Sequence, residues 1–257
     1  YLFDNLSNRQ NGKTDCRLKS CGSRFLIKNV EIKLRENETL EDLMIDGLKI
    51  IQNKNLYRFS SDAVLLSRFA DYRKGDKVAD FCSGSGIVGL HYYALHKNVK
   101  EVCLFELQAC LSEMAERTVE YDGLKDKVKC FNMPVQEIPD EYNGYFSLIL
   151  CNPPYKKKSS GEQNPDDHIA ICRHEIAVTL EEIISIASKK LKNGGRLCIC
   201  QRIERLTDVL CLMRANKLEP SKITMVFSGD KKEPYLFMAE GVKGIRPQLK
   251  ITEKVVN

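Results

Sequence analysis

No stretch of the 257-residue chain approaches the roughly 18 consecutive apolar residues of a membrane-spanning helix. No secretory leader is legible either, so the expected location is the cytoplasm, with no membrane partner. Histidine is scarce, at four residues, and the eleven cysteines contain no Cys-x-x-Cys pair. Cys16 and Cys21 stand alone, five apart, whereas Cys103, Cys151, Cys198 and Cys200 lie inside apolar runs. That spacing speaks against a zinc cage or a disulfide framework, and reduced thiols packed as small hydrophobes are expected, with no metal. Internal repeats and low-complexity tracts are also missing, and with them any solenoid or linker-rich architecture.

What is present is ordinary for a chain that buries a core: 43% hydrophobic and 29% charged residues, enough for one large domain with an appendage. The net charge of +5 is unevenly placed, because residues 1–35 hold eight Lys or Arg against Asp4, Asp15 and Glu31. The remainder is formally neutral. Such an arm is open to two readings, a contact to a phosphate backbone or a solvated leader. Residues 1–40 are read as a basic, poorly ordered or short β arm, residues 41–60 as a β extension, 61–250 as the main domain and 251–257 as a tail. A monomer is the simplest expectation.

In the extension, short apolar alternations around Leu43–Ile45 and Leu48–Ile50 suggest a hairpin, with Asn53–Asn55 as its break. From Lys77 onward the pattern is one of alternating strands and helices. Strands are expected at 78–82, 102–105, 128–131, 146–150, 196–200, 223–227 and 235–238, and helices between most of them. Ser61 and Asp62 offer an N-cap for a helix through Phe69. Thr179-x-x-Glu182 is a capping box opening a helix whose stripe is Leu180, Ile183, Ile184, Ala187 and Leu191, with Gly194 and Gly195 as its stop. The last two strands follow without a helix between them. The expected fold is therefore α/β and Rossmann-like: a doubly wound, mostly parallel seven-stranded sheet with an antiparallel edge strand.

Asp80-Phe-Cys-Ser-Gly84-Ser-Gly86-Ile-Val-Gly89 follows the first of these strands, and Glu106 lies 20 residues beyond Gly86 at the end of the next. Read as G-x-G-x-x-G with a distant acid, the stretch is a dinucleotide fingerprint. Read as D-x-x-x-G-x-G, it is a turn whose leading carboxylate suits an ammonium-bearing ligand better than a pyrophosphate. Cys82 stands where many such turns carry a further glycine.

Asn152-Pro153-Pro154-Tyr155 ends the fourth strand, at the carboxyl edge where such sheets bind ligands. Prolines fix the loop and lack N–H groups, so the Asn152 side-chain oxygen and the Pro153 carbonyl can converge on one NH2 group. Tyr155 supplies a stacking face for a base turned out of its helix, and Lys156, Lys157 and Lys158 supply charge for flanking phosphates. The same lysines also fit a merely solvated loop. This motif resolves the ambiguity of the glycine turn, since a dinucleotide enzyme gives it no task.

Taken together, Asp80, Gly84, Gly86, Glu106 and Asn152–Tyr155 resemble the amino-group methyltransferases, and most closely the bacterial tRNA adenine N6-methyltransferases that modify a valine tRNA beside its anticodon. Asp46–Gln52, Phe59–Leu66 and Arg173-His174-Glu175 extend the likeness over about residues 41–250. The resemblance implies a class I methyltransferase fold and S-adenosylmethionine as cofactor. It assigns Asp80, Ser83, Gly84, Gly86 and Glu106 to the cofactor, with Ser61 and Asp62 near its amino-acid end. It makes Asn152–Tyr155 the catalytic motif and tRNA the partner; Arg173 is a candidate phosphate contact, with a simple pairing to Glu175 as the other reading. Related enzymes often carry an acid after the third strand; here Asn132 stands in that segment as the candidate contact to the cofactor's adenine. His174 is read as structural, Asp166-Asp167-His168 as no metal set, and residues 159–167 as a lid loop. Four alternatives accompany this reading: protein glutamine methylation, N6-adenine methylation of ribosomal RNA or DNA, an NAD-dependent oxidoreductase, and a non-catalytic RNA-binding protein.

Overall fold

In the computed structural model the described residues are 32–56, 61–153, 178–229 and 231–256. The first elements are β1 (Glu38–Asp42) and β2 (Lys49–Asn53), an antiparallel hairpin in which Glu41 faces Ile50. Its turn lies at residues 43–48, not at Asn53–Asn55. Met44, Asp46 and Gly47 all take positive φ there, and Leu43 N–H donates to the Leu48 carbonyl at 2.9 Å. Two non-glycine residues in the left-handed region, Met44 and Asp46, carry no ordinary turn signature, so the alternation rule missed the position. Asn53 instead ends β2, its Oδ1 accepting the Asn55 N–H at 2.9 Å.

The main domain follows as α1 (Ser61–Phe69), β3 (Lys77–Phe81), α2 (Ile87–Leu95), β4 (Glu101–Glu106), α3 (Ala109–Tyr121), β5 (Val128–Asn132) and β6 (Phe146–Cys151). After residues 154–177 come α4 (Leu180–Lys190), β7 (Leu191–Arg202), α5 (Leu206–Ala215), β8 (Leu218–Ser228), β9 (Leu236–Lys243) and β10 (Lys250–Val256). Eight of the strands form one sheet in the order β10-β8-β9-β7-β6-β3-β4-β5. All its pairings are parallel except those of β9, which runs antiparallel to both β7 and β8.

The mostly parallel α/β sheet is thus as the alternating pattern required. Two details go beyond the expectation. The antiparallel strand lies toward one edge with β8 outside it, because the β8–β9 hairpin folds back into the gap beside β7. An eighth strand, β10, covers β8 with the segment read as a tail; its residues are mostly exposed on both faces, so no burial pattern announced it.

Strand alternation sorts the core into two layers. Val78, Val102, Leu104, Leu148, Leu150, Cys198 and Cys200 pack with α1, α2 and α3 residues such as Leu66, Leu90 and Val119. Ala79, Phe81, Phe105, Ile149, Leu197 and Ile199 pack on the other face with Leu180, Ile183 and Ala187 of α4 and Val209 and Met213 of α5. Helices on both faces make the sheet doubly wound. The cysteines at 82, 103, 110, 130, 151, 198, 200 and 211 are free, and 103, 151, 198 and 200 are fully buried, where they pack as small apolar side chains.

The capping box is present in both directions: Thr179 Oγ1 accepts the Glu182 N–H at 3.2 Å, and Glu182 accepts the Thr179 N–H at 2.8 Å. The helix stops earlier than the glycines, however. Leu191 is extended and already pairs with Phe146, so Gly194 and Gly195 sit inside β7 beside a register shift. A Cβ on Gly195 would lie 2.8 Å from the Lys192 carbonyl, which explains a glycine at this irregularity.

Candidate active site

From β3 the chain moves outward through β4 to β5, then returns to lay β6 on the other side of β3. The order reverses between β3 and β6, and the carboxyl ends of the strands flanking such a point form a crevice. Phe81 of β3 pairs with Cys151 of β6, so the segment starting at Cys82 and the segment starting at Asn152 leave the sheet side by side. The glycine turn and the Asn-Pro loop are therefore neighbours, as the sequence reading needs.

The glycine turn is held in a strained form. Cys82 has φ 57°, Gly84 φ 58° and Gly86 φ 89°. A left-handed non-glycine residue costs roughly 1–2 kcal/mol, which Cys82 carries where a glycine would not. A Cβ on Gly86 would approach Leu104 to 2.9 Å and one on Gly89 would approach it to 2.5 Å, so these two glycines let α2 lie close on β4. Gly84 faces open space.

Three carboxylate bonds tie the turn down. Glu106 Oε2 accepts the Gly84 N–H at 2.8 Å while its Oε1 accepts the Gln108 N–H at 2.8 Å. Asp80 Oδ2 accepts the Gly89 N–H at 2.8 Å. Burial raises both carboxyl groups above their ordinary range; for Asp80, at the strand end, it does so to about 8. The Leu107 backbone also bonds Glu106, and of the roughly four lone-pair sites on its two oxygens one is left for a ligand hydroxyl.

The donor set tests whether S-adenosylmethionine fits. Asp80 Oδ1 and Ser83 Oγ are buried and have no hydrogen-bond partner, two of only five such side-chain atoms among the described residues. A buried polar atom without a partner costs roughly 1–3 kcal/mol, so a concentration of them at one strand end marks a place where a ligand supplies the missing bonds. A buried carboxyl group, which ionises beside a cation, and a hydroxyl match an ammonium or hydroxyl ligand. They do not match a pyrophosphate, which the Asp80 carboxylate would repel. The residues present fit the cofactor.

The other expected residues divide. Asn132 Nδ2 donates to the carbonyls of Glu106 and Leu107, at 3.0 and 2.9 Å, so its amide shapes the turn beyond β4. Ser61 is exposed at the start of α1; Asp62 beside it is buried and accepts the Tyr235 hydroxyl at 3.4 Å. Arg202, at the end of β7, lies over the Tyr235 ring at 5.9 Å and marks the far side of the same sheet edge. Asn152 is half-buried and Pro153 buried. Pro154, Tyr155, Lys156, Lys157, Lys158, Arg173 and His174 lie outside the described residues, as do Asp166-Asp167-His168 and the 159–167 loop. Among the described residues no cluster of three metal-ligating side chains occurs, and no helix is long and apolar enough to cross a membrane.

One member of the site escaped the sequence reading. Gln52, at the end of β2, is fully buried and donates from Nε2 to Ser85 Oγ at 2.5 Å. The signals were its place at the end of the Asp46–Gln52 stretch of the likeness and a polar residue closing the apolar run Ile50-Ile51.

Residues 60–210, more than half of the chain, match the family model of the methyltransferase small domain. A tRNA1(Val) (adenine(37)-N6)-methyltransferase of Shewanella sp. (strain W3-18-1) is 25% identical over 162 residues, 62% of this chain and 66% of its own. The matched stretch thus spans about two thirds of that relative. The protein of the same description from Flavobacterium johnsoniae is 25% identical over 183 residues, 71% of this chain and 77% of its own. Among solved structures, a predicted O-methyltransferase from Agrobacterium tumefaciens superposes with a TM-score of 0.59 at 18% identity, over 76% of this chain and 86% of that one. At that identity the likeness is one of fold.

Proposed function

The chain belongs to the methyltransferase small domain family, and on that premise we propose that it methylates N6 of an adenine in tRNA, adenine 37 of a valine tRNA, with S-adenosylmethionine as methyl donor. The fold is that of the class I S-adenosylmethionine-dependent methyltransferases. The observation that carries the reading is the register of β3 on β6, which sets Asn152 and Pro153 beside a turn whose buried Asp80 Oδ1 and Ser83 Oγ await partners.

Bound S-adenosylmethionine supplies a methyl group on a sulfonium, activated for in-line displacement. Asp80 and Ser83 hold its amino-acid end, Glu106 holds its ribose, and Gly84 leaves the space for its close approach. Asn152 and the Pro153 carbonyl accept the two N–H bonds of the adenine amine. Accepting them would draw the nitrogen lone pair out of conjugation and aim it at the methyl group, so that an N–C bond could form as the cofactor's S–C bond broke. The extra proton on nitrogen leaves to water. Holding the two reactants in line contributes on the order of 7–11 kcal/mol in well-oriented systems, so positioning is the main work of this loop. Tyr155 stacks on the turned-out base, and Lys156–Lys158 with Arg173 bind flanking phosphates. The choice of tRNA adenine over other planar amines draws on the activity by which the similar Shewanella and Flavobacterium proteins are described, together with these lysines.

The test is methyl transfer from labelled S-adenosylmethionine to unmodified tRNA, bulk RNA, DNA and protein, followed by nucleoside analysis. N6-methyladenosine at position 37 of valine tRNA is expected. Label in protein glutamine would replace the proposal. Asn152→Ala is expected to keep S-adenosylhomocysteine affinity within about threefold and to lower kcat by at least about 100-fold, the scale of losing an oriented polar contact to the reacting group. Unchanged kcat would remove Asn152 from the mechanism.

A further inference from the structure

The β1–β2 hairpin lies outside residues 60–210, the stretch that the family model covers. It is nonetheless fixed to the cofactor half of the sheet. Ile51 N–H donates to Thr118 Oγ1 of α3 at 3.1 Å, Lys49 N–H donates to the Asp122 carboxylate at 3.1 Å, and Arg117 pairs with Glu38. Ile51 packs against Leu111 and Met114 of α3. The hairpin thus sits on the helix that follows Glu106.

From that base Gln52 reaches the glycine turn. Its Nε2 donates to the Ile51 carbonyl at 3.0 Å and to Ser85 Oγ at 2.5 Å. The Ile51 carbonyl can only accept, so the amide orientation is fixed by chemistry: the NH2 end faces this carbonyl and Ser85. Gln52 is 1% and Ser85 5% exposed, so water does not compete for the bond.

The turn needs such a brace. It carries positive φ at Cys82, Gly84 and Gly86, and glycine loses more conformational entropy on ordering than any other residue. Its other ties come from within the β3–α2–β4 unit: Gly84 to Glu106, Gly89 to Asp80, and Gly86 N–H to the Ser83 carbonyl at 2.8 Å. Gln52 is a tie from outside that unit, and it holds the residue between the two glycines.

We propose that Gln52 is a positioning residue for the cofactor: through Ser85 it holds the glycine turn in its binding form, which makes the appended hairpin a working part of the S-adenosylmethionine site. This rests on the cofactor reading above. Ordering the turn before the ligand arrives removes a cost that binding would otherwise meet.

The experiment is calorimetric S-adenosylhomocysteine binding at 20 °C, together with Tm, for wild type, Gln52→Met, Ser85→Ala and the double variant. Each single variant is expected to lose about three- to tenfold in affinity, the scale of one buried hydrogen bond. The double variant is expected to lose no more than the larger single loss, because both remove the same bond. Thr179→Ala, on the α4 cap away from the site, controls for stability: its Tm falls while its affinity stays at the wild-type value. Affinity within twofold of wild type in both single variants, or losses that add in the double, overturns the proposal even where Tm falls. Should Gln52→Met not fold, Ser85→Ala carries the same comparison from the other side of the bond. No binding by the wild-type protein would overturn the cofactor reading itself and the proposal with it.

Discussion

Two buried ionic regions of the same sheet are built on opposite plans. Toward the amino ends of the strands, Arg196 of β7 is 1% exposed and is met from all sides. Its guanidinium donates to Asp76 at 3.0 Å and to the Asp71 carbonyl at 2.6 Å, and it lies 3.6 Å from Glu240. The carboxylates are satisfied in turn: Ser147 donates to Asp76 at 2.6 Å and Ser221 to Glu240 at 2.6 Å. Only Arg196 Nε lacks a partner. At the carboxyl ends, Asp80 is just as buried but holds a single backbone bond, with Oδ1 and the nearby Ser83 Oγ left over. Burial alone therefore does not mark a functional charge. The mark is a carboxylate that the protein buries without completing its partners, since a fold under selection for stability alone would fill or remove it.

The comparison breaks most easily at Arg196. Arg196→Met leaves Asp76 and Glu240 buried without their cation, and removing one member of a buried ion pair costs about 3–5 kcal/mol. Chemical denaturation should show a loss of that size, or a variant that does not fold. A loss below about 1 kcal/mol would mean that the carboxylates are satisfied without Arg196 and that the two regions differ less than their geometry implies.

Asp80 predicts the opposite sign. Its folded-state value of about 8 stands above the ordinary 3.8. A group raised in this way favours the folded state most at low pH, and that support is lost as pH rises from about 4 through about 8. Asp80→Asn cannot ionise, so the ligand-free variant should match or trail wild type at pH 5 and exceed it at pH 8.5. A shift of roughly 3–6 °C in Tm corresponds to about 1–2 kcal/mol for a domain of this size. The gain is bought with function: S-adenosylhomocysteine affinity should fall at least about tenfold, the worth of one charge-assisted bond. Wild-type binding should also tighten between pH 6 and 8, because the ammonium group is met by the ionised carboxylate, and the Asn variant should lose that trend. A Tm difference independent of pH would place the titration elsewhere.

How much of this was legible in the chain depends on sequence distance. The Thr179–Glu182 capping box is a contact between residues three apart, and the Asp80–Gly89 turn with Glu106 is a pattern within one βαβ unit, so local chemistry carried both. The Asn152 loop could be placed beside the turn because a doubly wound sheet dictates a switch point between β3 and β6. Gln52 and Ser85 stand 33 residues apart, and Arg196 and Asp76 stand 120 apart, with nothing in the local pattern joining them. Arg196 even read as the first residue of an ordinary strand. The hairpin turn was missed because Met44 and Asp46 take left-handed conformations usually left to glycine or asparagine, and β10 because a strand exposed on both faces has no alternation to detect.

The smallest effect belongs to Ser83, and it sharpens the contrast most finely. Its Oγ is buried with no partner, so Ser83→Ala removes an unmet polar atom together with its desolvation cost. The ligand-free protein should be unchanged or more stable by up to about 1 kcal/mol, whereas a hydroxyl in a completed network is normally missed by a similar amount. Ser147→Ala gives the matched case at the other end of the sheet. There Oγ serves both Asp76 and the Lys77 N–H, at 2.6 and 2.9 Å, and its loss should cost about 1–3 kcal/mol. With S-adenosylhomocysteine bound the order should reverse for Ser83 alone, as the variant forgoes about three- to tenfold in affinity while Ser147→Ala binds as wild type does. Equal losses of stability in the two ligand-free variants would mean that Ser83 is already satisfied, and that the carboxyl edge is no less complete than the amino edge.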